Sequence, residues 1–148
     1  MTDPSDRIRD VSSLVREIAH GWDPKYLLFW GHAPAKGKTI GPFVLSQWFP
    51  APFTVDGLRY ATAEHFMMAE KARLFGDEET RSRVIATSDP GAAKALGREV
   101  RGFDDAAWTG ARFDIVVRGS VAKFGQNEML VAAFNRFADG TRQRRHPK

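Results

Sequence analysis

Between His32 and Pro52 the chain is interrupted by Pro34, Gly37, Gly41, Pro42, Pro50 and Pro52, so no long regular element can cross this stretch. Beyond Thr62 the punctuation changes: Gly76, Asp89 and Pro90 fall where helices end and begin. The spacing predicts a helix over Thr62 to Phe75 stopped by Gly76, a second over "DEETRSRVIAT", and a third over "DPGAAKALGREV" with Asp89 as cap. A longer helix is predicted from Ala106 to Lys123, with Trp108, Phe113, Val116, Val117 and Val121 along one side, and "NEMLVAAFNRF" reads as the last. Before the broken stretch, residues 5–19 set Ile8, Val11, Leu14, Val15 and Ile18 at helical spacing, with Ser5 or Asp6 as N-cap. "KYLLFWGH" reads as a buried strand stopped by Gly31, "FVLSQWF" as a short strand, and "FTVDGLRYAT" as a hairpin about Asp56-Gly57. The expected fold is mainly α (α+β), a compact helical domain with a small antiparallel β element near the N-terminal third. Residues 1–138 are expected to form one domain, and 139–148 a basic, disordered tail.

At 148 residues the chain has the usual size of one domain. It has no cysteine, which excludes disulfides, thiolate metal sites and thiol nucleophiles. The first residues, "MTDPSDRIRDVSSLVREI", lack the apolar run of a signal peptide, and no stretch of bilayer-spanning length and apolarity occurs; a cytoplasmic protein with no membrane role is expected. The net charge of +4 suggests nucleic acid, but Arg142, Arg144, Arg145 and Lys148 of the terminal "RQRRHPK" account for all of it.

"GHAPAKGKTIG" approaches a phosphate-binding loop but misses its spacing, with five residues between Gly31 and Gly37 where four are required, and Gly41-Pro42 blocks the helix that should follow. Lys36 and Lys38 remain able to meet a phosphate as point charges. His20, His32, His65 and His146 show no metal-ligand spacing, so no metal and no cofactor are expected; His32, after Trp30-Gly31, is a candidate to line a pocket. Trp30, Trp48 and Trp108 serve either as packing or as faces on which a base or sugar stacks.

In "TAEHFMMAEKARLF", Glu64 and Lys71 stand seven residues apart, two helical turns, and so on one face. Glu64 near the helix start suits the helix dipole, and a mid-helix lysine is ordinarily solvated. Yet Lys71 sits among Met67, Met68 and Leu74, where desolvation would lower its pKa and make it a usable nucleophile.

"LSQWFPAPFTVDGLRYATAEHFMMAEKA", "AAKALGREV" and "RFDIVVRGSVAKFGQN" together resemble, in order and spacing, the NADAR superfamily of YbiA-like proteins, over about residues 26–134. The resemblance implies a compact, mostly helical domain that hydrolyses N-glycosidic bonds of ribose-containing substrates: ADP-ribose attached to guanine, free or within nucleic acid, or phosphoribosylated intermediates of riboflavin synthesis. It implies Lys71 as the lysine that forms a transient Schiff base with the opened ribose, and Glu64 as the group that moves protons. It further implies Trp108, Arg112 and Lys123 as pocket positions, where a base stacks and phosphates pair. Trp30, Gly31, His32, Ser46 and Trp48 complete the expected substrate-binding set.

Gln47 and Ser120 stand where the family commonly has Asn. The family's Thr-Gly-Asp turn, strand and Ser-Pro-x-Asp-x-x-Trp-Gly segment have no counterpart in "DGTRQRRHPK", so reduced activity is expected. Two alternatives stay open on sequence: an ADP-ribose or nucleotide-binding module that has lost turnover, and a helical interaction domain whose basic tail meets nucleic acid or an acidic partner.

Overall fold

The computed structural model describes residues 4–142. A 3-10 turn (Pro4–Arg7) precedes α1 (Val11–Ala19), and a second (Pro42–Leu45) follows a long irregular stretch. Then come β1 (Phe53–Val55), β2 (Leu58–Tyr60), α2 (Ala63–Leu74), α3 (Glu78–Ala86), α4 (Pro90–Arg98), α5 (Asp105–Gly125) and α6 (Glu128–Arg142). The fold is mainly α with one small antiparallel hairpin, as expected from the sequence.

Side-chain caps start α2, α3, α4 and α5. Thr62 accepts from the backbone N–H of His65, Asp77 from Thr80, Asp89 from Ala92 and Asp104 from Ala107. The hairpin turns on Asp56 and Gly57, with φ of 50° and 77°, the left-handed pair that an Asp-Gly turn favours. Helix α2 lies at the centre, packed by α3, α4 and α5. Its Phe66, Met68 and Ala69 join Phe53, Tyr60, Val84, Ala93 and Ile115 in the main core. Two glycines let the neighbours approach: a Cβ on Gly119 would lie 2.7 Å from the Phe66 ring, and one on Gly97 would lie 1.9 Å from Met68 Sδ. Glu70 of α2, buried, accepts a fork of hydrogen bonds from Arg73 at 2.8–3.1 Å and another from Arg118 of α5 at 3.3 Å. His65 is fully buried, held by the Thr62 hydroxyl at 2.8 Å and the Thr87 carbonyl at 2.9 Å, which makes it a structural clamp.

Two predicted strands are absent. Within "KYLLFWGH", residues 25–30 carry no regular structure, and Tyr26, Leu28 and Trp30 are exposed. One outer edge of the hairpin, that of β1, is closed to a third strand. There the Gln126 side chain stands in for a strand: Thr54 N–H donates to Gln126 Oε1 at 2.8 Å, and Gln126 Nε2 donates to the Thr54 carbonyl at 2.7 Å. "FVLSQWF" forms a 3-10 turn instead, because the buried Lys123 ammonium takes the carbonyls of Val44 and Ser46 that a strand would have paired. The first helix starts at Val11, not near Ser5, because Asp10 and Ser13 cap each other. Its apolar Val11, Val15 and Ile18 are exposed, while Glu17 is buried and paired with Arg7 at 2.7 Å. Helix α6 runs through Asp139 and Gly140 to Arg142, beyond the expected start of the tail; residues 143–148 lie outside the described part. Among the described residues no helix is long and apolar enough to cross a membrane.

Candidate active-site cleft

One face of α2 opens on a cleft of about 550 Å³, walled by Leu45 to Trp48 on one side and by Lys94, Gly97 and Arg98 of α4 on the other. Glu64 and Lys71 both line it, two turns apart on the helix as their spacing predicts. The loop wall is tied directly to the helix start, since Glu64 N–H donates to the Gln47 carbonyl at 3.1 Å.

Glu64 is only 5% exposed. Burial raises the pKa of its carboxyl, against the smaller opposing effects of the Lys94 charge and a side-chain hydrogen bond with Trp48. Lys71 shifts the other way, its pKa lowered by burial. Its Nζ donates to the Gly97 carbonyl at 2.7 Å and lies 4.5 Å from the Phe103 ring centre and 5.6 Å from that of Trp108. A neutral amine that donates one hydrogen to a carbonyl keeps its lone pair for attack. Burial thus shifts both groups in the direction of their uncharged forms. Pairs with this opposed perturbation are enriched at catalytic sites.

The other predicted residues divide by position. Ser46 and Trp48 line the cleft, and His32 packs against Trp48 with ring centres 5.6 Å apart. Trp108 and Arg112 line a neighbouring hollow of about 390 Å³ with Phe113 and Val116; Met67 borders both. Trp30 is 96% exposed, and neither it nor the exposed Gly31 is among the cleft-lining residues.

Lys123, expected to meet phosphates, is 1% exposed and outside the cleft wall. Its Nζ donates to the carbonyls of Val44 at 2.6 Å and Ser46 at 2.7 Å, close to the rings of Phe49 and Phe124, and burial lowers its pKa to about 8. With Gln126 on Thr54, and Asn127 donating to the Pro52 carbonyl at 3.3 Å, the "KFGQN" stretch grips residues 44–54 from behind. Lys123 therefore positions the loop wall and is not a surface of the cleft. Lys94, Gly97, Arg98 and Phe103 were not singled out from the sequence. The available signal was the spacing of Lys94 and Arg98, four apart in "AAKALGREV".

The structure is thus a mainly helical domain in which a buried carboxyl and a partly buried amine line one aromatic-edged cleft. The chain belongs to the NADAR domain family, whose model matches residues 28–139. Over 112 residues it is 39% identical to an N-glycosidase of Acanthamoeba polyphaga mimivirus, a match covering 72% of this chain and 64% of that protein. The chain thus spans less than two thirds of that relative's length. Its fold is similar to the NMR structure of the E. coli protein YbiA, with a TM-score of 0.53 and 28% identity over 63% of this chain and 54% of that one.

Proposed function

We propose that the chain is an N-glycosidase that cleaves the bond between a ribosyl carbon and a base nitrogen in an ADP-ribosylated (guanine-linked) or phosphoribosylated substrate. The observation that carries this reading is the pairing of Glu64 and Lys71 along one cleft with opposed shifts in pKa. The mimivirus relative's designation as an N-glycosidase agrees with it.

Lys71 in its amine form attacks the anomeric carbon, and the carbon–nitrogen bond to the base breaks as Glu64 in its acid form gives its proton to the departing nitrogen. The attacking nitrogen loses a proton, the ring oxygen gains one, and the sugar opens to a Schiff base on Lys71. The Glu64 carboxylate then draws a proton from water as the water oxygen adds to the imine carbon, and collapse releases the sugar and restores the amine. Burial serves both ends of the cycle by favouring the protonated acid and the free amine before substrate arrives.

The direct assay measures release of free ADP-ribose from ADP-ribosylated guanosine, and of the base from a phosphoribosylated analogue. Turnover of at least one, lost in Lys71→Ala, is expected. Binding of both without turnover would instead make the chain a nucleotide-binding module.

A further inference from the structure

Lys94 and Arg98 are four residues apart on α4 and leave the same face of that helix. Both line the cleft beside Glu64 and Lys71, and both are exposed. Among the described residues neither forms an ion pair or a side-chain hydrogen bond, whereas Arg73, Arg101 and Arg118 are each committed to carboxylates. The one ring beside the Lys94 ammonium is Trp48, 5.8 Å away. Glu64, the acid within reach of the Lys94 charge, is itself buried and makes no ion pair with it. The adjoining face of α4 is fixed against α2 at Gly97, whose missing Cβ admits Met68 and whose carbonyl receives Lys71. The two free cations are therefore anchored next to the amine by the backbone itself, with Arg98 immediately following the residue that Lys71 touches.

Building on the proposed glycosidase reading, we propose that Lys94 and Arg98 form a phosphate subsite that selects a phosphorylated ribosyl group over a neutral nucleoside. A phosphate on the 5-carbon of a ribosyl ring lies across the ring from the carbon that Lys71 attacks. Arg98 offers a forked donor and Lys94 a point charge, the pair of chemistries that phosphate oxygens accept. Trp48, beneath Lys94, gives the sugar or its attached base a flat surface.

Calorimetric titration of the full chain with ADP-ribose, ribose 5-phosphate, ribose and adenosine tests this, alongside a single-stranded oligonucleotide. Lys94→Gln and Arg98→Gln are compared with Arg59→Gln, an exposed cation of β2 outside the cleft; unchanged melting temperatures confirm that these surface replacements fold. The expected result is preference for the phosphorylated ligands, about tenfold weaker in each single variant and lost in the double variant, with Arg59→Gln like the parent. In turnover, KM rises and kcat is largely kept. Equal binding of phosphorylated and neutral ligands, or a preference surviving in the double variant, overturns the subsite. Dependence on the two cations seen with the oligonucleotide alone also overturns it, as nucleic-acid backbone would then be the ligand. Phosphate preference without turnover leaves the subsite standing and removes the glycosidase reading; turnover without phosphate preference does the reverse.

Discussion

Lys71 and Lys123 both hold their ammonium groups among aromatic rings, and burial lowers the pKa of both. Their surroundings otherwise differ. Lys71 stands at the edge of the cleft with one carbonyl partner, so its nitrogen stays open to a ligand. Lys123 is closed in, its nitrogen shared between two carbonyls 2.6 and 2.7 Å away. A low lysine pKa alone therefore does not mark a nucleophile. What separates the two is how many of the nitrogen's directions the protein has already filled, and whether the remainder faces solvent-accessible space.

Exchanging the two lysines in turn is the strongest way to break this comparison. Lys71→Ala should abolish turnover, while the fold loses only about 1 kcal/mol, one hydrogen bond to Gly97 set against alanine's better helix propensity. Product release assays and chemical denaturation of the same sample check both halves. Glu64→Gln should lower kcat by about 10² to 10⁴ while leaving ADP-ribose affinity within a few-fold, since size and hydrogen bonding are kept and proton transfer is lost. An unaltered rate would return Glu64 to the role of a helix-dipole partner.

Lys123→Met should behave in the opposite sense. It leaves the Val44 and Ser46 carbonyls without their donor and should cost about 2–4 kcal/mol of stability. Any fall in activity should follow from the displaced loop wall. Because the folded pKa of Lys123, about 8, is below that of an exposed lysine, the unfolded chain binds the extra proton between these values. Stability should rise as pH increases from about 8 toward 10.5, and denaturant titrations of Lys123→Met should show less of that rise.

Smaller effects sharpen the account of the scaffold. Gly97→Ala forces Met68 aside and should destabilise by about 1–3 kcal/mol, with a raised KM because the Lys71 acceptor moves with it. His65 is buried with its pKa lowered, so its stabilising contribution is complete above the ordinary value of 6.5 and is lost as pH falls through the lower folded value. Thermal melts between pH 7 and pH 5 should show that loss, reduced in His65→Gln.

The helical body was legible because its signals are local. Asp89 caps α4, Gly76 stops α2 and Asp56-Gly57 turns the hairpin as read from the sequence, and Thr62, Asp77 and Asp104 cap their helices by the same local chemistry. Glu64 and Lys71 could be placed on one face from their spacing alone. The region before Phe53 was misread because its backbone is satisfied by side chains far away in sequence. Nothing within "KYLLFWGH" or "FVLSQWF" reveals that Gln126 will occupy the sheet edge or that Lys123 will take the Val44 and Ser46 carbonyls. For the same reason the resemblance could imply Lys123 as a pocket position, since nothing in the sequence reveals that its ammonium is buried against the Val44 and Ser46 carbonyls. Lys94 and Arg98 went unassigned because the cleft exists only once Gly97 has brought α4 against α2.

Borohydride trapping distinguishes the two lysines directly. The full chain is incubated with its turned-over substrate, reduced, digested, and the adduct mapped by mass spectrometry. A reduced ribosyl adduct on Lys71 and none on Lys123 is the predicted result, despite the lowered pKa of both. An adduct on Lys123, or full turnover with no adduct at Lys71 and undiminished activity in Lys71→Ala, would contradict the assignment of Lys71 as the nucleophile.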